Sequence, residues 1–329
     1  MEDIVLLADP KTSAWDFAKK IQDYILNVNK QKIDMQELVM KEFRDHENMP
    51  EINENIRRKD VYLIQSSNKH PNNWWTELLL TKDLCLSADV NSLSLVLPYM
   101  RYTRQDRKHK SRVPISTRAL ANSISPGLKR IITMDLHSPQ IQNAYPAEVP
   151  LDNLHSFPEV VKYLREKHPE DLENLAVVSP DAGGMTRTNA FLKRLIRSET
   201  VDSIKDNYSF AIISKIRNTT GTIEDMFLAG DVRDKNVLII DDIYDSCGTV
   251  IKAGELLKKN GAKRLLTYAS HGLFTQGTKD VVNAFDVVMT SNTHYNNENE
   301  GVEIIDVTPT FAEAIYRAQK GLSVSKLFE

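Results

Sequence analysis

Short apolar runs recur along the chain of 329 residues, and most of them are continuous rather than alternating with polar residues. A continuous run suits a strand that is buried on both faces, as the strands of a parallel sheet are. The pattern predicts nine strands, which begin near Asp60, Leu93, Arg130, Leu175, Phe210, Asn236, Arg264, Asp286 and Val302.

Segments with helical periodicity lie between these runs. Residues 72–89 (NNWWTELLLTKDLCLSAD) and residues 250–263 (VIKAGELLKKNGAK) each place apolar side chains on one face of a helix, and Gly261 is typical of a helix end. The predicted inner face of the first helix consists of Trp75, Leu78, Leu79 and Leu86. The alternation of strands and helices predicts an α/β fold in which helices cover both faces of a mainly parallel sheet.

A weak internal repeat indicates two similar domains. RIITMDLHSP in the first half parallels NVLIIDDIYDSC in the second, since each is a strand that ends in an acidic residue before a polar turn. We therefore predict one α/β domain at residues 1–152 and a second at residues 153–308. A C-terminal helix and tail follow at residues 309–329.

Composition excludes several classes of protein. Hydrophobic residues make up 41% of the chain and charged residues 26%, as in globular proteins, and the net charge of −3 lacks the basic excess of nucleic-acid or membrane binders. The two cysteines, Cys85 and Cys247, are too few for a disulfide framework or a Cys-based zinc site. The chain shows no signal-peptide pattern and no apolar run of membrane-spanning length, so we expect a cytoplasmic protein.

The stretch VLIIDDIYDSCGTV, residues 237–250, carries the strongest chemical signal. Asp241 and Asp242 come at the end of a predicted parallel strand, where α/β proteins bind ligands. The small and hydroxyl-bearing residues that follow lead into a predicted helix, whose first backbone N–H groups suit a phosphate. Two carboxylates beside a phosphate would repel it, so they are better suited to bind neutral hydroxyls of the same ligand or a divalent cation. A sugar phosphate would satisfy both halves of the motif.

Two other considerations apply to this motif. Neighbouring residues of a strand point to opposite faces, so both aspartates reach one ligand only if the strand is ending there and the backbone is turning. Alternatively, Asp245 or Ser246 caps the helix and the aspartates lie on a solvated rim. The chain contains no G-x-x-x-x-G-K-[ST] phosphate loop, so a phosphate is not held in that way.

Basic residues form a second candidate site. RYTRQDRKHKSRVPIS, residues 101–116, follows a predicted strand and offers forked guanidinium donors for phosphate oxygens, while Gln105 suits a base edge. An isolated basic run is otherwise a solvated loop. In SKIRN, Lys215 and Arg217 are two residues apart and would share one face of a strand. The polar stretch at residues 218–231 is predicted to be a long connection that could serve as a lid.

The motif at residues 241–249 resembles the phosphoribosyl-diphosphate loop of type I phosphoribosyltransferases. The remaining motifs narrow the resemblance to the ribose-phosphate diphosphokinases, which make phosphoribosyl pyrophosphate (PRPP). It extends from about Phe43 to about Thr293. It implies two phosphoribosyltransferase-type domains, the first on the ATP side and the second carrying the ribose 5-phosphate loop.

The resemblance also implies roles for individual residues. The implied ATP contacts are Phe43, Asp45, Glu47, Arg104, Gln105 and Asp106. The implied ribose 5-phosphate contacts are Asp241, Asp242, Asp245, Ser246, Cys247, Gly248 and Thr249. Mg²⁺ is the implied cofactor, with His137 and Asp181 at its sites, although a histidine is otherwise a structural hydrogen-bonding group and Asp181 a helix cap. Lys215 and Arg217 are the implied catalytic cations on a mobile loop.

The chain departs from the family pattern at a few positions. Arg44 replaces a serine, and His46 replaces a glycine, which is strained if that position needs a positive φ. Ile216 stands where an arginine is usual, between the two implied catalytic cations. Ser246 and Cys247 replace a threonine and an alanine or glycine, and a cysteine beside a phosphate site and helix start is expected to have a lowered pKa.

The expected reaction converts ATP and ribose 5-phosphate into AMP and PRPP. The partners are these two substrates, with no nucleic acid and no membrane, and the resemblance implies a homo-oligomer built from dimers, up to a hexamer. A simple phosphoribosyltransferase would share residues 241–249 but would have little use for RQDRK or for a second similar domain. A non-catalytic regulatory paralogue of the synthetase is the other alternative.

Overall fold

The computed structural model describes residues 3–197, 208–217, 223–294 and 299–328, and for residues 215–217 and 223–225 it describes the backbone alone. The chain divides into two units. Unit 1 comprises Met1–His155, Thr293–Tyr295 and Val307–Glu329, and unit 2 comprises Ser156–Asn292 and Asn296–Asp306. Each unit is built on one sheet of seven strands.

Unit 1 alternates strands with helices. Its strands are β1 (Ile4–Ala8), β2 (Asp34–Glu42), β3 (Asn48–Ile52), β4 (Asp60–Ile64), β5 (Ser92–Leu97), β6 (Arg130–Met134) and β7 (Leu151–Leu154). Its helices are α1 (Ser13–Asn27), α2 (Pro71–Ser87), α3 (Ser116–Ile124) and, near the end of the chain, α8 (Thr308–Lys320). The strand order is β3-β2-β1-β4-β5-β6-β7, and only the β2–β3 pair is antiparallel.

Unit 2 repeats this plan. Its strands are β8 (Leu175–Ser179), β9 (Tyr208–Arg217), β10 (Ile223–Ala229), β11 (Asn236–Tyr244), β12 (Arg264–Gly272), β13 (Val287–Ser291) and β14 (Glu303–Ile305). Its helices are α4 (Phe157–Lys167), α5 (Met185–Arg197), α6 (Gly248–Lys259) and α7 (Lys279–Ala284). The order is β10-β9-β8-β11-β12-β13-β14, with only β9–β10 antiparallel.

The two sheets have the same topology. Counted from β8, the strand order of unit 2 is identical to that of unit 1. The predicted α/β fold with two similar, mainly parallel domains is therefore confirmed. In each sheet the order reverses between the first and fourth strands, β1 and β4 or β8 and β11, and ligands of such folds bind beyond the carboxyl ends of those strands.

Helices cover both faces of each sheet, which explains the continuous apolar runs. In β1, Val5 and Leu7 pack with α2 and α3, whereas Ile4 and Leu6 pack with α1 and α8. In unit 2, α6 and α7 cover one face of the sheet and α4 and α5 cover the other. No helix in the part of the chain that the structure describes has both the length and the apolar character needed to cross a membrane.

All nine predicted strands are present, but five further strands were missed. Four of them, β2, β3, β7 and β10, lie at or next to a sheet edge and lack a long apolar run. The prediction of a polar connection at residues 218–231 is wrong for β10, where Met226 and Leu228 pack inward and Phe227 is 52% exposed. The fifth, β1, is fully buried and apolar, so its pattern was sufficient to identify it.

The inner face of α2 also differs from the prediction. Trp74, Leu78 and Cys85 are fully buried, whereas Trp75 is only partly buried and Leu86 is 38% exposed. The helix is therefore rotated by about one residue relative to the expected face. By contrast, Gly261 follows the end of α6 with a φ of +87°, as its position predicted.

Helix α8 belongs to the core of unit 1, and this has a measurable consequence. Phe311 is fully buried, with its ring 5.2 Å from that of Phe17 in an edge-to-face contact. We expect Phe311→Ala to destabilise unit 1 by about 3–5 kcal/mol, because it removes a large core side chain. All three tryptophans belong to unit 1, so urea unfolding followed by tryptophan fluorescence reports on this unit.

The matched control is Phe227→Ala, the same truncation at an exposed position in unit 2. It should leave the tryptophan transition in place. An unchanged midpoint for Phe311→Ala would show that α8 is not part of the folded core.

Candidate active site

The loop after β11 leads into α6 without a side-chain cap from the residue before the helix. Cys247, which precedes the helix, has a left-handed conformation (φ 62°, ψ −5°). Its side chain makes no hydrogen bond to the helix N-terminus. The Asp245 carboxylate instead accepts a hydrogen bond of 2.7 Å from the Thr275 hydroxyl, and Ser246 is exposed. The first N–H groups of the helix are therefore suited to an anion, and a cap by Asp245 or Ser246 remains the alternative.

The same loop is tied to the chain that follows β12. The Tyr244 carbonyl accepts hydrogen bonds from the backbone N–H groups of Leu273 (2.7 Å) and Phe274 (3.2 Å). The Asp245 carbonyl accepts a third from the N–H of Thr275 at 3.0 Å. These main-chain bonds hold residues 244–245 in one conformation, so the start of α6 is preorganised.

The two adjacent aspartates share one cation. Strand β11 continues to Tyr244, so it does not end at Asp242 as the simplest interpretation required. Nevertheless, the Arg187 guanidinium lies 3.0 Å from an Asp242 oxygen and 3.8 Å from an Asp241 oxygen. The Asp242 N–H also donates to the Asp241 carboxylate at 2.9 Å. Both carboxylates are thus held close together beside the α6 N-terminus.

Arg187 was not identified from the sequence. It belongs to the first turn of α5, the helix that follows β8, and β8 is the neighbour of β11 in the sheet. The stretch VSPDAGGMTR, residues 178–187, ends in this arginine, but its partner Asp242 lies 55 residues further along the chain. Only the parallel pairing of β8 with β11 would have indicated the contact.

Burial and the neighbouring Asp242 carboxylate raise the pKa of Asp241 to about 8, and Arg187 partly opposes this effect. Two carboxylates this close cannot both ionise easily away from water. The site therefore stores unfavourable charge that a ligand with hydroxyl donors or a cation would relieve.

The turn after β8 places Asp181 at the start of α5. Its carboxylate accepts a hydrogen bond from the Gly184 N–H at 3.0 Å, and the Ser179 hydroxyl donates to its carbonyl at 2.7 Å. A Cβ at Gly184 would lie 2.9 Å from the Ser179 hydroxyl oxygen, so the turn has little room for a side chain there. Asp181 therefore braces the helix start, and a role at a magnesium site stays a prediction.

In unit 1, the candidate nucleotide residues lie in the β5–α3 loop (residues 98–115) and the β2–β3 turn. Arg104 and Gln105 are exposed and Asp106 is half-buried. The Ser116 hydroxyl donates to the Gln105 side-chain oxygen at 2.5 Å, and the Thr117 hydroxyl donates to the Gln105 carbonyl at 3.3 Å. The first turn of α3 thus fixes this end of the loop.

The β2–β3 turn presents Phe43, Asp45 and Glu47 at the surface, with Phe43 52% exposed. The Phe43 N–H donates to the Glu47 carbonyl at 2.8 Å, and the His46 N–H donates to the Phe43 carbonyl at 3.0 Å. His46 has a φ of 71°, so this position does adopt the left-handed conformation that favours glycine. The His46 ring contacts the Glu42 carboxylate.

His137 is exposed in the turn after β6, at the carboxyl edge of the unit 1 sheet. Asp135, two residues before His137, is by contrast only 4% exposed. Its carboxylate lies 3.2 Å from His155 Nδ1. Asp135 is therefore a buried acid beside His155, whereas His137, two residues later, is at the surface.

The crevice of unit 1 that matches the Asp241 site contains its own cation. Between the ends of β1 and β4, the Lys69 ammonium lies 3.3 Å from an Asp9 oxygen and 2.7 Å from a Glu77 oxygen. Glu77 is 6% exposed and accepts a further hydrogen bond from Asn48, the first residue of β3, at 3.2 Å. This network connects the switch point of unit 1 to the β2–β3 turn.

Lys215 and Arg217 lie in the backbone of β9, where they pair with Met226 and Ile223 of β10. Their side chains are outside the described residues, as is the connection at residues 218–222. The shared face of these two cations therefore stays a prediction.

The expectation of a lowered pKa for Cys247 is wrong. Its side chain is 7% exposed, and burial, with a smaller contribution from Asp245, raises the pKa of the thiol to about 12. The left-handed backbone turns the thiol into the core beneath α6, where it packs with Val250 and Tyr244. Desolvation therefore outweighs the helix N-terminus at this position.

One cluster of potential metal ligands occurs among the described residues, at His168, Glu170 and Asp171. It contains neither His137 nor Asp181. His168 bonds to Glu303 at 2.7 Å, and Asp171 bonds to Arg264 at 2.6 Å. These groups form an ion network at the amino ends of β8, β12 and β14.

Family models match both units of the chain. Residues 10–126 match the N-terminal domain of ribose phosphate pyrophosphokinase, and residues 151–304 match the phosphoribosyl transferase domain. The chain belongs to the ribose phosphate pyrophosphokinase family. This assignment confirms the resemblance found in the sequence.

Solved structures agree with the two-domain architecture of this family. The crystal structure of phosphoribosylpyrophosphate synthetase from Mycobacterium smegmatis matches with a TM-score of 0.83 and 24% identity, over 97% of this chain and 100% of that chain. A purine phosphoribosyltransferase from Pyrococcus horikoshii Ot3 matches 46% of this chain and 87% of its own, at 17% identity and a TM-score of 0.27. At that TM-score, the second match adds nothing to the assignment.

The raised pKa of Asp241 predicts a pH-dependent gain in stability for Asp241→Asn. In the folded protein the pKa is about 8, above the ordinary value of about 4, so ionisation of Asp241 destabilises the fold increasingly as pH rises between these values. The asparagine variant lacks this penalty and keeps the oxygen that accepts the Asp242 N–H. Its melting temperature should exceed that of the wild type by more at about pH 9 than at about pH 5.

Differential scanning calorimetry across this pH range measures the difference. Asp23→Asn, on the exposed side of α1, controls for the loss of one negative charge. A difference in melting temperature that does not vary with pH would contradict the raised pKa.

Proposed function

We propose that the protein transfers the diphosphoryl group of ATP to the anomeric hydroxyl of ribose 5-phosphate, giving PRPP and AMP. The observation that carries this proposal is the N-terminus of α6 beside the paired carboxylates of Asp241 and Asp242. Family membership supports it, because both domains of a ribose phosphate pyrophosphokinase are matched.

The β11–α6 loop would bind the sugar phosphate at both ends. The backbone N–H groups at Gly248 and Thr249, with the hydroxyls of Ser246 and Thr249, suit the 5-phosphate. The carboxylates of Asp241 and Asp242 suit the ribose hydroxyls. These hydroxyls would donate hydrogen bonds to the carboxylates in place of the water molecules that the sugar displaces. Such donors stabilise the charged form of both acids and lower the cost of keeping them together.

The exposed residues of unit 1 would hold the nucleotide. Arg104 carries a forked, permanently charged donor for phosphate oxygens, and Gln105 and Asp106 continue the same surface. The exposed ring of Phe43 suits stacking on a base, and Asp45 and Glu47 offer acceptors for its amino group.

Mg²⁺ fits the residues that the resemblance assigns to it. The Asp181 carboxylate is an oxygen ligand already held in place by the Gly184 N–H, which suits an ion that keeps several of its waters. The imidazole of His137 suits a contact through a bound water or through a phosphate, because magnesium prefers oxygen. When bound, the ion would neutralise charge on the phosphate oxygens of ATP.

The chemistry requires positioning and charge neutralisation more than covalent catalysis. The anomeric oxygen attacks the β-phosphorus of ATP, the bond from that phosphorus to the bridging oxygen of AMP breaks, and the hydroxyl proton is released. Lys215 and Arg217 would stabilise the charge that develops on the transferred group. Ile216, between them, removes a third cation and is expected to affect the rate rather than the type of reaction.

A non-catalytic regulatory paralogue is not favoured by any of these observations. Such a protein would be expected to lose charged site residues, whereas Arg104, Asp181, Asp241 and Asp242 are all present. A cytoplasmic location and a homo-oligomer built from dimers, up to a hexamer, are part of the proposal for an active synthetase.

Phosphorus NMR tests the reaction directly. Protein, Mg²⁺, ATP and ribose 5-phosphate should give PRPP and AMP in equal amounts, and AMP should form only when the sugar is present. Release of ADP and inorganic phosphate from ATP, with or without the sugar, would exclude a diphosphoryl transfer. A mixture of PRPP with a purine base and no ATP tests the simple phosphoribosyltransferase as the alternative.

Removal of the Lys215 ammonium should lower turnover strongly. By analogy with other groups that stabilise developing negative charge, Lys215→Ala should reduce kcat by roughly 10²–10³-fold. Lys215→Arg, which keeps the charge, should lose less. Lys259→Ala, at the far end of α6, is the matched control for the loss of a lysine in the same unit. Normal turnover of Lys215→Ala would remove this residue from the mechanism.

A further inference from the structure

Ser67, in the β4–α2 loop (residues 65–70), is bonded to a histidine from a distant part of the chain. Its hydroxyl lies 2.6 Å from His294 Nδ1, and the two residues are 227 positions apart in the sequence. Both are buried, with Ser67 1% and His294 8% exposed. A buried polar pair of this kind must stay together, because either partner alone would lose its hydrogen bond away from water.

The main chain of Ser67 contacts a second residue, Arg101. The Arg101 guanidinium donates through Nε (2.8 Å) and Nη2 to the Ser67 carbonyl. It also lies over the Tyr99 ring, 5.8 Å from the centroid, while the His294 ring meets the same tyrosine edge-on at 5.7 Å. Ser67, Tyr99, Arg101 and His294 therefore form one closed cluster, the Ser67 cluster.

The Ser67 cluster lies at the start of the β5–α3 loop. Arg101 precedes Arg104 by only three residues, and the buried Thr103 hydroxyl donates to the Met100 carbonyl at 3.0 Å, which closes a turn around Arg101. The other end of the loop is fixed by the bonds from Ser116 and Thr117 to Gln105. Exposed Arg104 thus lies between Gln105, which the first turn of α3 holds directly, and Arg101, which the Ser67 cluster holds.

We propose that Ser67 and His294 are positioning residues for nucleotide binding, which hold Arg101 and thereby set the place of Arg104 and Gln105. This inference rests on the proposed function, in which those two residues contact ATP. Neither Ser67 nor His294 needs to touch a substrate. Their effect should therefore appear in the affinity for the nucleotide and not in the affinity for ribose 5-phosphate, whose loop belongs to unit 2.

Four variants separate the two contacts of His294 from each other and from general damage. His294→Asn keeps an amide near the Nδ1 position that can bond to Ser67, and His294→Phe keeps the ring edge against Tyr99 but loses the hydrogen bond. Ser67→Ala removes the hydroxyl and keeps the carbonyl that Arg101 uses. Ser66→Ala is the matched control, since Ser66 is the adjacent buried serine and its hydroxyl bonds to Ser13 of α1 at 2.8 Å.

Steady-state kinetics and calorimetric titration with ATP give the readouts. Loss of one buried hydrogen bond should raise the KM and Kd for ATP about five-fold in Ser67→Ala and His294→Phe. His294→Asn should restore most of the wild-type affinity. The KM for ribose 5-phosphate should stay constant in all variants, and Ser66→Ala should match the wild type for both substrates. In the Ser67→Ala/His294→Phe double variant the effects should not add, because both changes break the same bond.

Other outcomes would overturn the inference. Unchanged ATP affinity in Ser67→Ala and His294→Phe would show that the cluster does not position the loop. Equal losses for both substrates, or the same loss in Ser66→Ala, would indicate a general structural role. Binding of ATP without formation of PRPP would defeat the proposed function alone, and the Kd values would still decide the positioning role. A wild-type protein that does not bind ATP would defeat both.

Discussion

A parallel strand that is covered by helices on both faces can present polar side chains only where it ends. This constraint applies to both units, because each sheet contains six mutually parallel strands in the same order. Arg104, His137 and Asp181 accordingly lie in the turns after β5, β6 and β8, and Asp241 and Asp242 lie near the carboxyl end of β11. Burial of the strand interiors thus determines where chemistry can occur, and the turn sequences determine which chemistry it is.

The paired carboxylates show how binding and stability oppose each other. Burial and the neighbouring Asp242 carboxylate raise the pKa of Asp241, and the Arg187 guanidinium partly offsets the charge of the pair. The main-chain bonds around Tyr244 prevent the loop from relaxing to separate them. The strain is local and is supported by a well-packed sheet, which is the arrangement expected of a site that gains free energy when its ligand arrives.

The sequence predicted the central strands and the site loops because both depend on local signals. A continuous apolar run identifies a buried strand, and a short motif such as residues 241–249 contains its own helix start. The edge strands were missed because they lack that run, and the inner face of α2 was misassigned by about one residue. Arg187 and the Ser67–His294 pair could not be found, since their partners lie 55 and 227 residues away and meet only through the fold.

The two units have the same strand order but carry different charged side chains at the point where that order reverses. At the switch point of unit 2, two acids lie together beside the guanidinium of Arg187. At the matching point of unit 1, Lys69 places its ammonium between Asp9 and Glu77, so the side chain acts as a permanently attached substitute for a bound cation. The same location in one scaffold can in this way carry an internal ion pair in one domain and a pair of adjacent acids in the other, so the charge left to a ligand is set by the side chains alone.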